Sequence, residues 1–350
     1  MRENHMTGLT FFQQDPDWEK IRALGVKWTR CGVPYPWKDK VNGTYSERFL
    51  ASIERLKKLK SLGYEIMVYT NSMGSLGYDK EAGDEIWHPG FPAWMGGMDD
   101  DGFYEALDAG MREIAKIAGQ YTKWYQLGNE PDFKNFIGPV TREQNVRFNE
   151  TMIRAMVSAD PEMKCGINLA GIAGSEITEY ARWLTKTLYV DMDLPYAWLG
   201  LDAYFGCWQP GGPDDWVPYI DTMAALSKKP ILISEWGYAT LYGAPFEKDF
   251  ERKEHYNNIN CKEKHWENMW KGQKHSPELQ ADYIRQCLKI FADHPAVIGN
   301  FFFRWDDCEI CGWCGEHDCP TETHWGIVDV NEDPKPGYYA LKEAISELFG

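Results

Sequence analysis

With 350 residues the chain exceeds the roughly 100 to 200 usual for one domain, although α/β barrels reach this length as single units. Its 43% hydrophobic content is enough for a sizeable core and its 26% charged content for a solvated surface, which argues against disorder. The net charge of −16, from 53 acidic and 37 basic side chains, repels phosphate backbones and anionic headgroups, so neither nucleic acid nor a membrane is expected as a partner.

The start, Met1-Arg2-Glu3-Asn4-His5, has no apolar signal core, and no stretch approaches the roughly eighteen apolar residues of a membrane span. The chain as given is expected to be neither exported by its own signal nor anchored, which leaves secreted and cytoplasmic settings both open. Eight short apolar runs then alternate with longer amphipathic stretches, over 9–13, 27–31, 65–70, 124–127, 164–169, 199–204, 231–234 and 298–304. This alternation predicts buried parallel strands joined by crossover helices, and eight of them predict a (β/α)8 TIM barrel.

Helix signals fall between the strands. Asp15-Pro16 opens the first helix, Ser46 opens the second and Gly63 closes it, and Thr141 with Gln144 has the spacing of a capping box. A last helix over 337–348 follows Pro334 and Pro336. No repeat or linker separates a second unit, so residues 1–350 are read as one catalytic domain. The long connections, 71–101, 236–274 and 306–336, follow strands three, seven and eight. In a barrel such segments lie on the C-terminal face, where sites form.

Two glutamates close apolar runs on that face: Glu130 in Leu127-Gly128-Asn129-Glu130-Pro131, and Glu235 in Ile233-Ser234-Glu235-Trp236-Gly237. A strand-end carboxylate points into the barrel mouth, unfavourable in a core but useful beside a substrate. Two such groups close together divide into a proton donor and an ionised partner, the pair that glycoside hydrolysis requires. Position alone also allows two solvated carboxylates.

The Asn-Glu-Pro triplet after strand four, with Ser-Glu-Trp-Gly after strand seven, resembles glycoside hydrolase clan A, closest in type to families 5 and 39. The resemblance extends from Gly25-Val26-Lys27-Trp28-Thr29-Arg30 to Trp325-Gly326-Ile327-Val328-Asp329 and Pro334-Lys335-Pro336-Gly337-Tyr338-Tyr339. It implies that Glu130 is the acid/base and Glu235 the nucleophile of a retaining double displacement through a covalent glycosyl-enzyme intermediate. It also implies that the Asn129 amide meets the sugar 2-hydroxyl, that Arg30 contacts the nucleophile and that Tyr204 hydrogen-bonds it. Trp305 is expected to form a sugar platform and Trp236, beside the nucleophile, to contact substrate; for Tyr204, Trp305 and Trp236 alike, aromatic packing is the alternative.

The clan often carries a His near the end of strand six, where this chain reads Leu201-Asp202-Ala203-Tyr204. Asp202, Asp306 and Asp307 are rival carboxylates outside the matching motifs, read as supporting or substrate-contact groups. Trp87, Trp94, Trp208 and Trp313 fall on post-strand segments and are further candidate sugar contacts or packing residues.

Cys308, Cys311, Cys314 and Cys319 crowd the loop after strand eight as C-x2-C-x2-C-x4-C, with His317 among them; Cys207, Cys261, His255 and His265 lie on other loops. The spacing suits a structural zinc ion, with disulfides as the alternative. No cofactor is expected for catalysis. The leading expectation is a retaining hydrolase cleaving β-linked neutral oligo- or polysaccharide. A barrel that binds carbohydrate without cleaving it, or a metal-dependent hydrolase, is the alternative.

Overall fold

A computed structural model of the chain describes residues 5–11, 13, 15–79, 84–241, 269–311, 317, 319 and 322–350. Eight parallel strands close into a barrel: β1 (Met6–Thr10), β2 (Trp28–Gly32), β3 (Glu65–Tyr69), β4 (Trp124–Gln126), β5 (Lys164–Leu169), β6 (Trp198–Ala203), β7 (Ile231–Trp236) and β8 (Val297–Phe303). Each pairs with its neighbours in chain order, and β1 pairs with β8 from Met6↔Gly299 to Thr10↔Phe303. All eight predicted strands are present, with β1 beginning three residues earlier than expected. The fold is the (β/α)8 barrel.

The main crossover helices are α1 (Trp18–Leu24), α2 (Glu47–Ser61), α3 (Asp101–Ala118), α4 (Arg142–Ala159), α5 (Glu179–Thr185), α6 (Trp216–Ser227), α7 (Pro277–Asp293) and α8 (Pro336–Leu348). Their ends follow the sequence signals. The Ser46 hydroxyl accepts from the Phe49 amide at 3.1 Å, and Thr141 and Gln144 form the reciprocal capping box at 3.2 and 2.8 Å. Asp17 rather than Asp15 caps α1. No described helix is long and apolar enough to cross a membrane.

Strand alternation divides the apolar residues between two places. One set, including Ile66, Val68, Ile167, Leu199, Leu201, Ile231 and Ile233, faces the helices in the larger core. The other, Met6, Met67, Trp198, Leu232 and Phe301, fills the barrel interior, with Trp28 and Trp124 against it. Gly8 and Gly166 make room for two of these rings: a Cβ at either position would come within 2.3 Å of Phe301 or Trp198. Two residues further along six of the strands, β2 to β7, the interior turns polar. Trp28 is followed by Arg30, Met67 by Tyr69, Trp124 by Gln126, Gly166 by Asn168, Gly200 by Asp202 and Leu232 by Ser234. This ring lies at the C-terminal end of the barrel.

The loop after β3 carries an antiparallel hairpin, Gly74–Asp79 with Asp84–Pro89, which contacts the short helix Lys134–Ile137 in the loop after β4. Most of the loop after β7, 242–268, and part of the loop after β8 lie outside the described residues.

Candidate active site

Glu235 is aimed inward by a bulge. Leu201 pairs with Ile233, but the next residue of β6, Asp202, pairs with Glu235, leaving Ser234 as an extra residue in β7. Simple alternation from Leu232 and Ser234 would send Glu235 outward and Trp236 inward; the bulge reverses both. The Glu235 carboxylate then accepts from the Arg30 guanidinium at 2.7 Å on Oε1 and from the Tyr204 hydroxyl at 2.6 Å on Oε2. Arg30 is itself buried, at 3% exposure, and also donates to the Ser234 carbonyl at 3.0 Å and to Gln126 Oε1 at 2.7 Å. A guanidinium anchored at three points holds the carboxylate in one orientation.

Glu130 follows β4 on a turn with two positive-φ residues, Gly128 at 75° and Glu130 itself at 41°. A non-glycine residue there is held by its surroundings, a condition typical of functional sites. The Glu130 amide donates to Asn168 Oδ1 at 3.1 Å and its carbonyl accepts from the Phe133 amide at 2.9 Å. The Gly128 amide donates to Thr70 Oγ1 at 3.0 Å. Asp132 takes the amides of Ala170 and Gly171 at 3.0 and 2.8 Å, pinning the turn to the end of β5.

Burial, then the negative charges of Asp202, Glu235 and Asp132, push the Glu130 carboxyl well above the ordinary range, with Arg30 opposing. Burial likewise pushes Asp132 up to about 6. Asp202 is raised by burial and by Glu235, against Arg30 and the hydrogen bonds from Ser234 and Asn168. One glutamate is thus poised to hold a proton, while the other is clamped as an acceptor.

Asn129 Oδ1 accepts from Gln126 Nε2 at 3.2 Å and from Asn168 Nδ2 at 2.9 Å. Its oxygen is occupied, so the group it offers a ligand is its NH2. Arg30, Asn129, Glu130, Tyr204 and Glu235 therefore converge, joined through Gln126 and Asn168. Gln126 and Asn168 stand in no recognisable motif, and the Ser-Glu-Trp-Gly motif does not reveal what Ser234 bonds. Their signal was a polar side chain inside an apolar strand, where burial without a partner is costly.

Two expected substrate contacts do not hold. Trp236 is fully buried between Phe291 of α7 and Phe302 of β8, with ring centroids at 5.2 and 5.0 Å, and its indole N–H meets Asn300 Oδ1 at 3.1 Å. The bulge that turns Glu235 inward turns Trp236 toward the helices. Trp305 is also fully buried; its indole donates to Glu332 Oε1 at 2.6 Å and its ring meets Tyr338 of α8. Neither ring can stack on a sugar. Trp325 and Phe303 instead flank Tyr204, with centroids at 4.9 and 5.9 Å. Trp87, Trp94 and Trp208 are half-buried against the core, and Trp313 lies outside the described residues.

Asp306 and Asp307 serve the loop after β8. Asp306 accepts from Gln13 at 2.8 Å and Arg304 at 3.3 Å, while both oxygens of Asp307 accept from Lys335 at 2.9 Å. Of the four clustered cysteines, Cys308, Cys311 and Cys319 are described, and Cys314 lies outside the described residues, as do Cys261, His255 and His265. The Cys308 thiol donates to the Glu322 carbonyl at 3.3 Å. Among the described residues no group of three His, Cys, Asp or Glu is arranged to hold a metal ion.

No protein-family model and no curated protein matches the sequence. Solved structures do match its fold. The Ignisphaera aggregans GH53 catalytic domain aligns at 15% identity over 97% of this chain and 96% of its own, with a TM-score of 0.61. A family 39 glycoside hydrolase from Bacteroides cellulosilyticus aligns at 13% identity over 100% of this chain and 65% of its own, also at 0.61. The GH2 β-galacturonidase of Eisenbergiella tayi aligns at 15% identity, with a TM-score of 0.59, over 98% of this chain; this chain spans 51% of that one's length. At these identities the likeness is one of fold, a (β/α)8 barrel of the kind these glycoside hydrolases carry.

Proposed function

We propose that the protein is a retaining glycoside hydrolase acting on β-linked neutral oligo- or polysaccharide. The observation that carries this reading is the unlike treatment of two glutamates at one end of the barrel: Glu235 is clamped by Arg30 and Tyr204, while Glu130 is pushed toward its protonated form. The fold shared with glycosidases supports it.

In the first step a Glu235 oxygen bonds to the anomeric carbon as the glycosidic C–O bond breaks, and Glu130 gives its proton to the departing oxygen. In the second step Glu130, now a carboxylate, takes a proton from water. The water oxygen bonds to the anomeric carbon, the ester bond breaks and Glu235 is released as a carboxylate. The Asn129 NH2 hydrogen-bonds the 2-hydroxyl, a contact that strengthens toward the transition state. A uronate carboxylate would add to the negative charges around Glu130, which favours uncharged sugars.

The test is hydrolysis of glucan, mannan, xylan, galactan and aryl glycosides by the wild type, Glu130→Gln and Glu235→Gln. Each variant should lose nearly all turnover, and azide should restore it to Glu130→Ala and Glu235→Ala with opposite anomeric products. Full activity in both Gln variants would refute the assignment. The cysteine cluster is read as a structural clamp, zinc-bound or disulfide-linked, with no part in the reaction. Metal content and free-thiol titration of the purified protein distinguish the two.

A further inference from the structure

We propose that Asp202 is a third functional carboxyl of the site, a positioning residue whose two oxygens set the Asn129–Glu130 turn relative to Glu235 and whose negative charge acts on Glu130. The proposal rests on Glu130 being the proton donor.

Asp202 faces the barrel interior at 1% exposure and stands opposite Glu235 in the β6–β7 register. Its Oδ2 accepts from Asn168 Nδ2, and its Oδ1 accepts from the Ser234 hydroxyl at 2.5 Å. Asn168 in turn accepts the Glu130 amide and donates to Asn129. One carboxyl therefore connects the turn that carries the acid to the residue preceding the nucleophile.

Hydrogen bonding alone does not call for an acid at this position. An asparagine could accept from Asn168 through its oxygen and donate to Ser234 through its amide, leaving the serine hydroxyl to turn to the Leu201 carbonyl, 3.5 Å away. A buried carboxyl costs more than a buried amide, so its presence points to a use for its charge. Asp202 is the foremost of the charges raising Glu130, ahead of Glu235 and Asp132, with Arg30 opposing them. Burial and Glu235 raise Asp202 as well, so the two carboxyls compete for one proton. Arg30 and the hydrogen bonds Asp202 accepts from Ser234 and Asn168 favour its charged form and leave the proton to Glu130, while its charge also reaches Tyr204 and Tyr219. When Glu235 becomes an ester its charge is gone, and Asp202 remains to favour transfer of the water proton to Glu130 in the second step.

Asp202→Asn tests this because it preserves both hydrogen bonds. On an aryl glycoside, the alkaline limb of kcat/KM should move to lower pH by about one unit, the effect of removing one nearby like charge. A slower variant with an unmoved limb would reduce Asp202 to a packing role and overturn the proposal. The Glu130 carboxyl, 13C-labelled and assigned through Glu130→Gln, should titrate lower in Asp202→Asn by a similar amount, and equal midpoints would also overturn it. This readout needs no turnover, so a protein inert toward every glycoside defeats the hydrolase reading without deciding this one. If Asp202→Asn does not fold, the wild-type Glu130 resonance should still show a second inflection at the Asp202 midpoint; a single-step curve counts against the coupling.

Discussion

Arg30 and Glu235, 205 residues apart in the chain, meet at 2.7 Å across the barrel interior, with side chains only 3% and 17% exposed. The guanidinium also reaches Gln126 on β4, so it braces three strands around one carboxylate. Arg30→Met leaves that buried charge without its partner. It should lower unfolding stability by about 3–5 kcal/mol in urea titration. Arg30→Lys keeps the charge but cannot span Gln126 and Glu235 together, so it should fall between the two. Wild-type stability in Arg30→Met would show that the pair contributes nothing to the fold.

Tyr204 holds the other oxygen of Glu235 at 2.6 Å, and burial together with the Glu235 charge keeps its phenol protonated as a donor. A hydrogen bond to a charged group contributes about 1.5–3 kcal/mol, so Tyr204→Phe should lower kcat by roughly 10- to 100-fold with little change in KM. A loss confined to KM would mean that the hydroxyl serves substrate binding rather than Glu235.

Asp132 links acidity to stability. Its carboxyl is raised from 3.8 to about 6, so the folded protein binds this proton more tightly than the unfolded chain does. The stability it contributes is complete below pH 3.8 and is lost as pH rises through about 6. Asp132→Asn removes that dependence. Plotted against pH, the Tm of the variant relative to the wild type should therefore rise across this window. A difference that stays constant would mean that the two amide hydrogen bonds from Ala170 and Gly171 offset the burial.

Trp305 is placed to support the fold rather than the ligand. Trp305→Phe removes the indole hydrogen bond to Glu332, which also accepts from the Asp17 amide at 3.0 and 3.1 Å. The variant should lose about 1.5–3 kcal/mol of stability and keep its KM for an oligosaccharide. A raised KM with unchanged Tm would return Trp305 to the substrate site.

The eight strands were legible because burial on both faces leaves nearly continuous apolar runs, and the helix ends because capping needs particular side chains at fixed spacing. Glu130 and Glu235 stood out for a related reason: each is an acid closing such a run. Arg30 and Tyr204 carried a weaker signal, as polar groups at strand ends.

Gln126, Asn168 and Asp202 acquire their roles only from partners on neighbouring strands, and nothing within β4, β5 or β6 names those partners. The bulge at Ser234 is likewise a property of pairing. It accompanies register shifts of β7 against both β6 and β8, and it decides that Glu235 enters the barrel while Trp236 leaves it. Local sequence determined which segments become strands and helices, since propensity and burial act over a few residues. Side-chain direction at the site was decided by the closed sheet, because hydrogen-bond register and the satisfaction of buried polar groups are set between segments far apart in the chain.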